Sequence, residues 1–292
     1  MTKIRSQSMV GPLKSVLMKR PEESYGSQSE IAHQWKDLNY SGPPSLSKAV
    51  ADYDRFLELI TESGTSVQFL PNSEDTGLDS IYTHDPVVVT NAGIILCNMG
   101  KGARKSEPEA MKEYFHQHDL PILGRITPPG TLEGGDILWI DERTVAVGEG
   151  YRSNGEGIQQ FHELLGDSVD KVISVPLTHW RGPSDCLHLL SNVSPIDVDL
   201  YVVYSPLLTV PFRNLLLDRG IRLIEVPDEE YSTLGCNILA VAPRKVIMVD
   251  GNPTVKRRLE AESVEIKVFD GSEICLRGAG GPTCLTRPLY RE

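Results

Sequence analysis

Two short apolar runs flanking a small polar turn recur along this chain. They occur at Val87 to Cys97 around Asn91-Ala92-Gly93, at Ile137 to Val147 around Asp141-Glu142-Arg143, and at Ile238 to Val249 around Pro243-Arg244-Lys245. Runs of this length with turn-forming residues between them predict β-hairpins. A looser copy spans Leu187 to Tyr204, with its turn placed at Ser194-Pro195-Ile196-Asp197. Helix candidates at Glu107 to His116, Gly155 to Leu165 and Thr254 to Glu262 follow hairpins and lead into further apolar runs. A period of about 50 residues marks repeat architecture, in which each unit buries its apolar face against its neighbours. Roughly five such units would fill the 292 residues, so a single closed domain over 1–292 is expected rather than two domains. No Ser/Gly-rich linker divides the chain. One further amphipathic helix is predicted at Ser45 to Thr61, where Val50, Tyr53, Phe56, Leu57 and Ile60 share a face and Ser45 is the expected cap.

Side chains capable of chemistry stand where these units begin: Asp85, Glu133, His188, Asn237 and, opening the last apolar stretch, Cys284. If the units are related by pseudo-rotation, these positions face one axis and meet in one site. Cys284 ends Gly278-Ala279-Gly280-Gly281-Pro282-Thr283-Cys284, a turn whose glycines let backbone approach a ligand closely. An isolated cysteine is by default a small packing hydrophobe; this setting and its partners make Cys284 a candidate nucleophile, while Cys97, Cys186, Cys236 and Cys275 keep the default reading. His188, alone in an apolar run, is either a satisfied core histidine or a general acid and base that protonates a leaving amine and then activates water. Asp185 either orients it or serves a turn or capping role. Glu133 and Asp136 flank paired glycines in Leu132-Glu133-Gly134-Gly135-Asp136. They and Asp85 are either solvated turn acids or carboxylates facing a guanidinium through paired charge-assisted hydrogen bonds.

The formal charge of -11 argues against a nucleic-acid partner, since phosphate contacts need a basic face. No apolar run approaches the roughly 20 residues of a membrane span, and Met1 to Gly11 lacks the apolar stretch of a secretory signal. A soluble, cytoplasmic protein is expected, with self-association left open. Five cysteines are an odd number, so at least one thiol lies outside any disulfide framework. With no CxxC pair and no HExxH spacing, no metal site is expected.

Leu132 to Asp136, Cys186 to Leu189 and Gly280 to Cys284 together resemble the guanidine-modifying enzymes of the pentein superfamily: arginine deiminase, dimethylarginine dimethylaminohydrolase and the amidinotransferases. The likeness runs from about Leu13 to Leu289. It implies an α/β propeller of five pseudo-symmetric units around an axial active site. It also implies Cys284 as nucleophile, His188 and Glu133 as catalytic histidine and acid, and Asp85 as the acid contacting the guanidinium, with Asp136 beside them in the substrate site. Gly102-Ala103-Arg104-Lys105-Ser106 before a helix, and Arg152 in Tyr151-Arg152-Ser153-Asn154, look most like dimethylarginine dimethylaminohydrolase. By that likeness Arg104 and Arg152 hold a substrate carboxylate. Arginine deiminases usually carry an arginine at His84 and an aspartate at Leu190, and loss of that acid favours a substituted guanidine; Gly280 to Cys284, conversely, looks more like a deiminase. The implied partner is a small guanidine compound, processed through a Cys-thiouronium to a citrulline-like urea without metal or organic cofactor. Amidine transfer through the same thiouronium, and a non-catalytic binding role for the same fold, are the competing readings.

Overall fold

The computed structural model describes residues 4–185 and 187–292. Met1 to Lys3, within the segment read for a signal, and Cys186 lie outside the described residues. The first unit holds β1 (Leu13–Met18), helices α1 (Pro21–Tyr25), α2 (Gln28–Gln34) and α3 (Leu46–Glu62), and β2 (Ser66–Phe69). The second holds β3 (Val87–Val89), β4 (Ile94–Leu96), α4 (Glu107–Gln117) and β5 (Ile122–Arg125). The third holds β6 (Ile137–Asp141), β7 (Thr144–Glu149), α5 (Gly155–Leu165) and β8 (Lys171–Pro176). The fourth opens on the short helix α6 (Leu189–Asn192) and continues with β9 (Val193–Asp197), β10 (Leu200–Val203), α7 (Val210–Asp218) and β11 (Arg222–Glu225). The fifth has α8 (Asp228–Tyr231), β12 (Leu239–Ala242), β13 (Lys245–Val249), α9 (Pro253–Ala261) and β14 (Glu265–Phe269), and the chain ends on β15 (Arg287–Arg291).

Each unit is a three-stranded sheet: an antiparallel hairpin, then a helical crossover to a strand parallel to the middle one. In the first sheet the hairpin partner comes from the other end of the chain, since β15 pairs antiparallel with β1. That pairing ties the two ends of the repeat together.

The apolar runs are nearly continuous because most hairpin strands bury both faces. In β3 and β4, Val87, Val89, Ile94 and Leu96 pack with Leu17 and Leu289 of the first sheet. Val88 and Ile95 point the other way, to Ile137, Val145 and Val147 of the third. In β10, Tyr201 and Val203 join Leu138 and Ala146, while Leu200 and Val202 join Ala240 and Met248. Ile247 and Val249 of β13 pack with Val16 and Met18 of β1. Sheets one to five therefore contact in sequence order and the fifth returns to the first, giving the five-unit α/β propeller that was expected.

Three expectations shift in detail. The fourth hairpin turns at Val198-Asp199 rather than at Ser194 to Asp197. Pro195 lies inside β9, an edge strand where a missing N–H costs no ladder bond. The run Leu187 to Leu190 is not strand, because α6 begins at Leu189 with His188 as its N-cap. Ser45 caps α3 by position only; its side chain makes no cap bond, and its N–H donates to Glu273 Oε2 at 2.8 Å. Among the described residues no helix is long and apolar enough to cross a membrane.

Candidate active site

The segments that enter the hairpins meet at one end of the propeller axis. Asp85, His188 and Cys284, from three different units, line one cavity of ≈ 100 Å³ together with Arg104, Arg152 and Lys101. Glu133 and Asn237, from the remaining two units, stand behind it, each bonded to a lining residue. Pseudo-symmetry thus gathers residues spread over some two hundred positions of sequence, and each unit supplies one of them.

Two buried ionic clusters face each other there. Glu133 is fully buried; its Oε2 lies 2.7 Å from His188 Nε2 and 3.2 Å from Arg152 Nη1, and its Oε1 accepts the Lys101 N–H at 3.0 Å. Burial opposes ionisation of Glu133, but the hydrogen bond and charge of His188, with Arg152, outweigh it and hold the carboxyl below its usual range. An ionised carboxylate only accepts, so His188 Nε2 carries the proton and the Nδ1 edge is turned toward Asp85 Oδ1, 4.0 Å away. A capping-box exchange with Ser191 fixes the His188 backbone. Gly135 must be glycine for this packing, because a Cβ there would stand 2.5 Å from His188 Nδ1 and 2.8 Å from Asp85 Oδ1.

In the second cluster Asp85 Oδ2 accepts from Arg104 Nη1 at 2.5 Å. Arg104 also donates to Glu107 from Nε, at 3.0 and 3.1 Å, and from Nη2, at 2.8 Å, with Nη2 reaching the Tyr82 carbonyl as well. Burial would raise the Asp85 carboxyl; His188 and Arg104 more than offset it and hold the group well below the ordinary carboxylate range. Burial wins at Glu107, which is pushed up to about 7 despite Arg104. Asp85 Oδ1 is buried and has no hydrogen-bond partner among the described residues. An ionised oxygen left in this state is expensive unless a donor arrives.

Cys284 is partly exposed and its Sγ accepts a hydrogen bond from Asn237 Nδ2 at 3.3 Å. Asn237 is held in turn by the Thr283 N–H on its Oδ1 at 3.2 Å. A Cβ on Gly281 would fall 2.4 Å from Asn237 Oδ1, so the glycine-rich turn serves to seat Asn237 against the thiol. Asn237 appears in the sequence only as the residue opening the hairpin at Ile238 to Val249, and its bond to Cys284 could be found only by assuming the pseudo-symmetry. Cys97, Cys236 and Cys275 are buried thiols whose ionisation burial pushes up, the bland role expected of them. Cys186, read the same way, lies outside the described residues.

Arg104, expected to face a substrate carboxylate, lines the cavity but spends its donors on Asp85, Glu107 and Tyr82. Arg152 lines the cavity beside Glu133. Asp136 is fully buried behind the site, accepting from Ser153 Oγ at 2.6 Å and from Leu189 N at 2.9 Å; burial raises it to about 6. Its oxygens brace the third and fourth units against one another. His84 faces away: Nδ1 meets the Thr286 carbonyl at 2.8 Å, and burial first, then Arg287, lower it to about 3, so it is neutral. Leu190 is a core residue. Asp85, Glu133 and His188 each offer a ligand atom within 4.8 Å of the others, a spacing that could hold a cation. In that cluster, however, Glu133 already accepts the His188 Nε2–H and Asp85 the Arg104 guanidinium N–H.

The family model for arginine deiminase matches residues 78–215 and 208–291, which include every residue of both clusters as well as Asn237 and Cys284. The chain belongs to the arginine deiminase family. Within it, the chain is 24% identical over 253 residues to N(G),N(G)-dimethylarginine dimethylaminohydrolase of Pseudomonas aeruginosa, covering 82% of this chain and 91% of that protein. A solved structure of the same enzyme, a cysteine-to-serine mutant complexed with citrulline, superposes with a TM-score of 0.75 at 23% identity over 94% of this chain and 98% of that one. Arginine deiminase of Listeria welshimeri is 26% identical over 254 residues, covering 72% of this chain; the match spans 61% of that longer protein. An amidinotransferase of Microseira wollei from the saxitoxin pathway shares the fold with a TM-score of 0.82 at 14% identity, over 100% of this chain and 98% of that one. These structural likenesses show the propeller fold, which the family also predicts.

Proposed function

We propose that this protein is a hydrolase of the guanidine group of arginine or an Nω-methylated arginine, with Cys284 as nucleophile. The observation that carries the reading is Asp85 Oδ1, a buried, ionised acceptor at the cavity without a hydrogen-bond donor among the described residues. A guanidinium is planar, cationic and made of donors only, so it supplies what this oxygen lacks.

The steps follow from the groups in place. With the guanidinium held on Asp85, the Cys284 thiolate attacks its carbon, and the Asn237 N–H together with the cationic substrate favours the thiolate. His188, its Nε2–H held by Glu133, presents its Nδ1 edge toward Asp85; that edge takes the proton the Cys284 thiol gives up and passes it to the departing nitrogen. Ammonia or an alkylamine leaves, and a thiouronium remains on Cys284. His188 then takes a proton from water, which adds to the same carbon. The C–S bond breaks, releasing a citrulline-type urea and restoring the thiolate. Glu133 acts on His188 rather than on the substrate plane, Arg104 positions Asp85, and Asp136 holds the framework behind them. Arg152 is the candidate for a substrate carboxylate.

The buried thiols Cys97, Cys236 and Cys275, none in a disulfide, support a reducing, cytoplasmic setting. A panel of arginine, methylarginines, agmatine and guanidino acids, assayed for the urea group, tests the activity. Urea-group product without an added amine acceptor supports hydrolysis. Amidine transfer to an added amine with no citrulline would replace it with the transferase reading, and full turnover by Cys284→Ser would remove Cys284 from the mechanism.

A further inference from the structure

Beyond the catalytic cavity, a larger one of ≈ 540 Å³ opens between the α4 face and the segment following β2. That size is in the range of small-molecule sites. Lys19, Ser80 and Glu107 lie in its lining, and all three are more than nine-tenths buried, at 3%, 6% and 2% exposure. The Lys19 ammonium makes one hydrogen bond, to Thr76 Oγ1 at 3.1 Å, and meets no carboxylate at ion-pair distance among the described residues. The Ser80 hydroxyl has no hydrogen-bond partner among the described residues. Burial depresses the Lys19 ammonium, and the more distant Glu107 and Glu23 act against that. A buried cation with one neutral acceptor and a buried hydroxyl with no partner, both in the lining of one cavity, are an unfinished set of contacts.

We propose that this cavity binds a small zwitterion of amino-acid size, whose carboxylate meets Lys19 and Ser80 and whose ammonium meets the acidic rim. Asp75 and Glu113 supply that rim, and Leu70 and Met111 give apolar wall for a short side chain. The charge pattern selects the class. One buried ammonium in the lining matches one carboxylate, whereas the acidic residues that share the lining disfavour a phosphate or other multiply charged anion. The site is separate from the catalytic one but shares a wall with it: Glu107 lines this cavity, Arg104 lines the other, and the two side chains are bonded. The proposal does not depend on the reaction assigned above.

Calorimetric titration and thermal unfolding of the full chain test it, with L-alanine, L-serine and L-glutamine as probes and acetate, methylammonium and inorganic phosphate as comparisons. At least one amino acid should bind saturably and raise the unfolding midpoint, acetate should bind more weakly, and methylammonium and phosphate should not bind. Lys19→Met should weaken the amino acid about tenfold or more, the loss of a charge-assisted contact. Ser80→Ala, which removes only a hydroxyl, should weaken it by a smaller factor and serves if Lys19→Met does not fold. Absence of saturable binding by any of the three amino acids, unchanged affinity in the folded variants, or phosphate binding tighter than the amino acids would overturn the proposal.

Discussion

The two ionic clusters at the cavity each set buried carboxylate against arginine, and one of them adds a histidine. Glu133 is paired with His188 and Arg152, Asp85 with Arg104. Arginine cannot give up its proton under ordinary conditions, so the Asp85–Arg104 pair is a fixed charge arrangement. Histidine can, so the Glu133 cluster contains the group able to exchange a proton during a reaction. One fold places a static holder and a proton carrier 4.0 Å apart. The lesson is that buried acids of one type take different tasks according to the cation beside them.

The sharpest way to break this contrast is at His188. His188→Gly should lower turnover by roughly 10²–10⁴-fold, the usual worth of a general acid and base, while guanidine binding on Asp85 survives. Steady-state kinetics paired with a binding titration measures both, and loss of binding without loss of turnover would reverse the two roles.

Arg104→Met attacks the other cluster and should act on stability first. Removing one partner of a buried pair costs about 3–5 kcal/mol, and here Asp85 and Glu107 would be left as neighbouring buried acids. Their folded-state pKa values would then rise, so the variant's stability should be retained at low pH and fall as pH climbs through the raised values. Chemical denaturation at pH 5 and pH 8 should show a larger deficit at pH 8. An equal deficit at both would mean that Arg104 contributes packing rather than charge.

Asp136 sharpens the comparison because it is an acid with no cation bonded to it. Its folded pKa of about 6 lies above that of an exposed aspartate, so the folded state holds the proton more tightly. Stability should fall as pH rises from about 4 to 6 and carry a penalty on the order of 3 kcal/mol above that window. Asp136→Asn, which keeps acceptor and donor atoms for Leu189 and Ser153, should flatten that part of the stability curve. An unchanged slope would assign it to other groups.

The smallest expected effect is at Asn237. Asn237→Ala removes one hydrogen bond to the nucleophile, worth about 1 kcal/mol, and should slow alkylation of Cys284 several-fold while leaving the fold intact. A rate equal to that of the wild type would make Asn237 a packing residue.

Much of this was legible in the residues. Strands buried on both faces write continuous apolar runs, so the hairpins of the second, third and fifth units stood out, as did α5 at Gly155–Leu165. The first unit did not, because β1 and β15 lie at opposite ends of the chain and no local pattern encodes their pairing. The fourth was misplaced because an apolar run carries no register: Leu189 and Leu190 bury equally well from a helical turn. Helix α7 escaped notice behind Pro211 in its first turn, a position where proline is tolerated. At the site, residue types and loop positions pointed to Asp85, Glu133, His188 and Cys284. Which cation each acid would take was not legible, since Arg104 reaches Asp85 through a fold contact and Lys19 faces its cavity through another.

Wild-type protein mixed with a methylarginine, quenched in acid within one turnover and digested for mass spectrometry, should carry an adduct on the Cys284 peptide equal to substrate minus its amine. Cys284→Ser should carry none and form no urea-group product. Turnover by that variant, or steady turnover of the wild type with an adduct on another cysteine, would contradict the account.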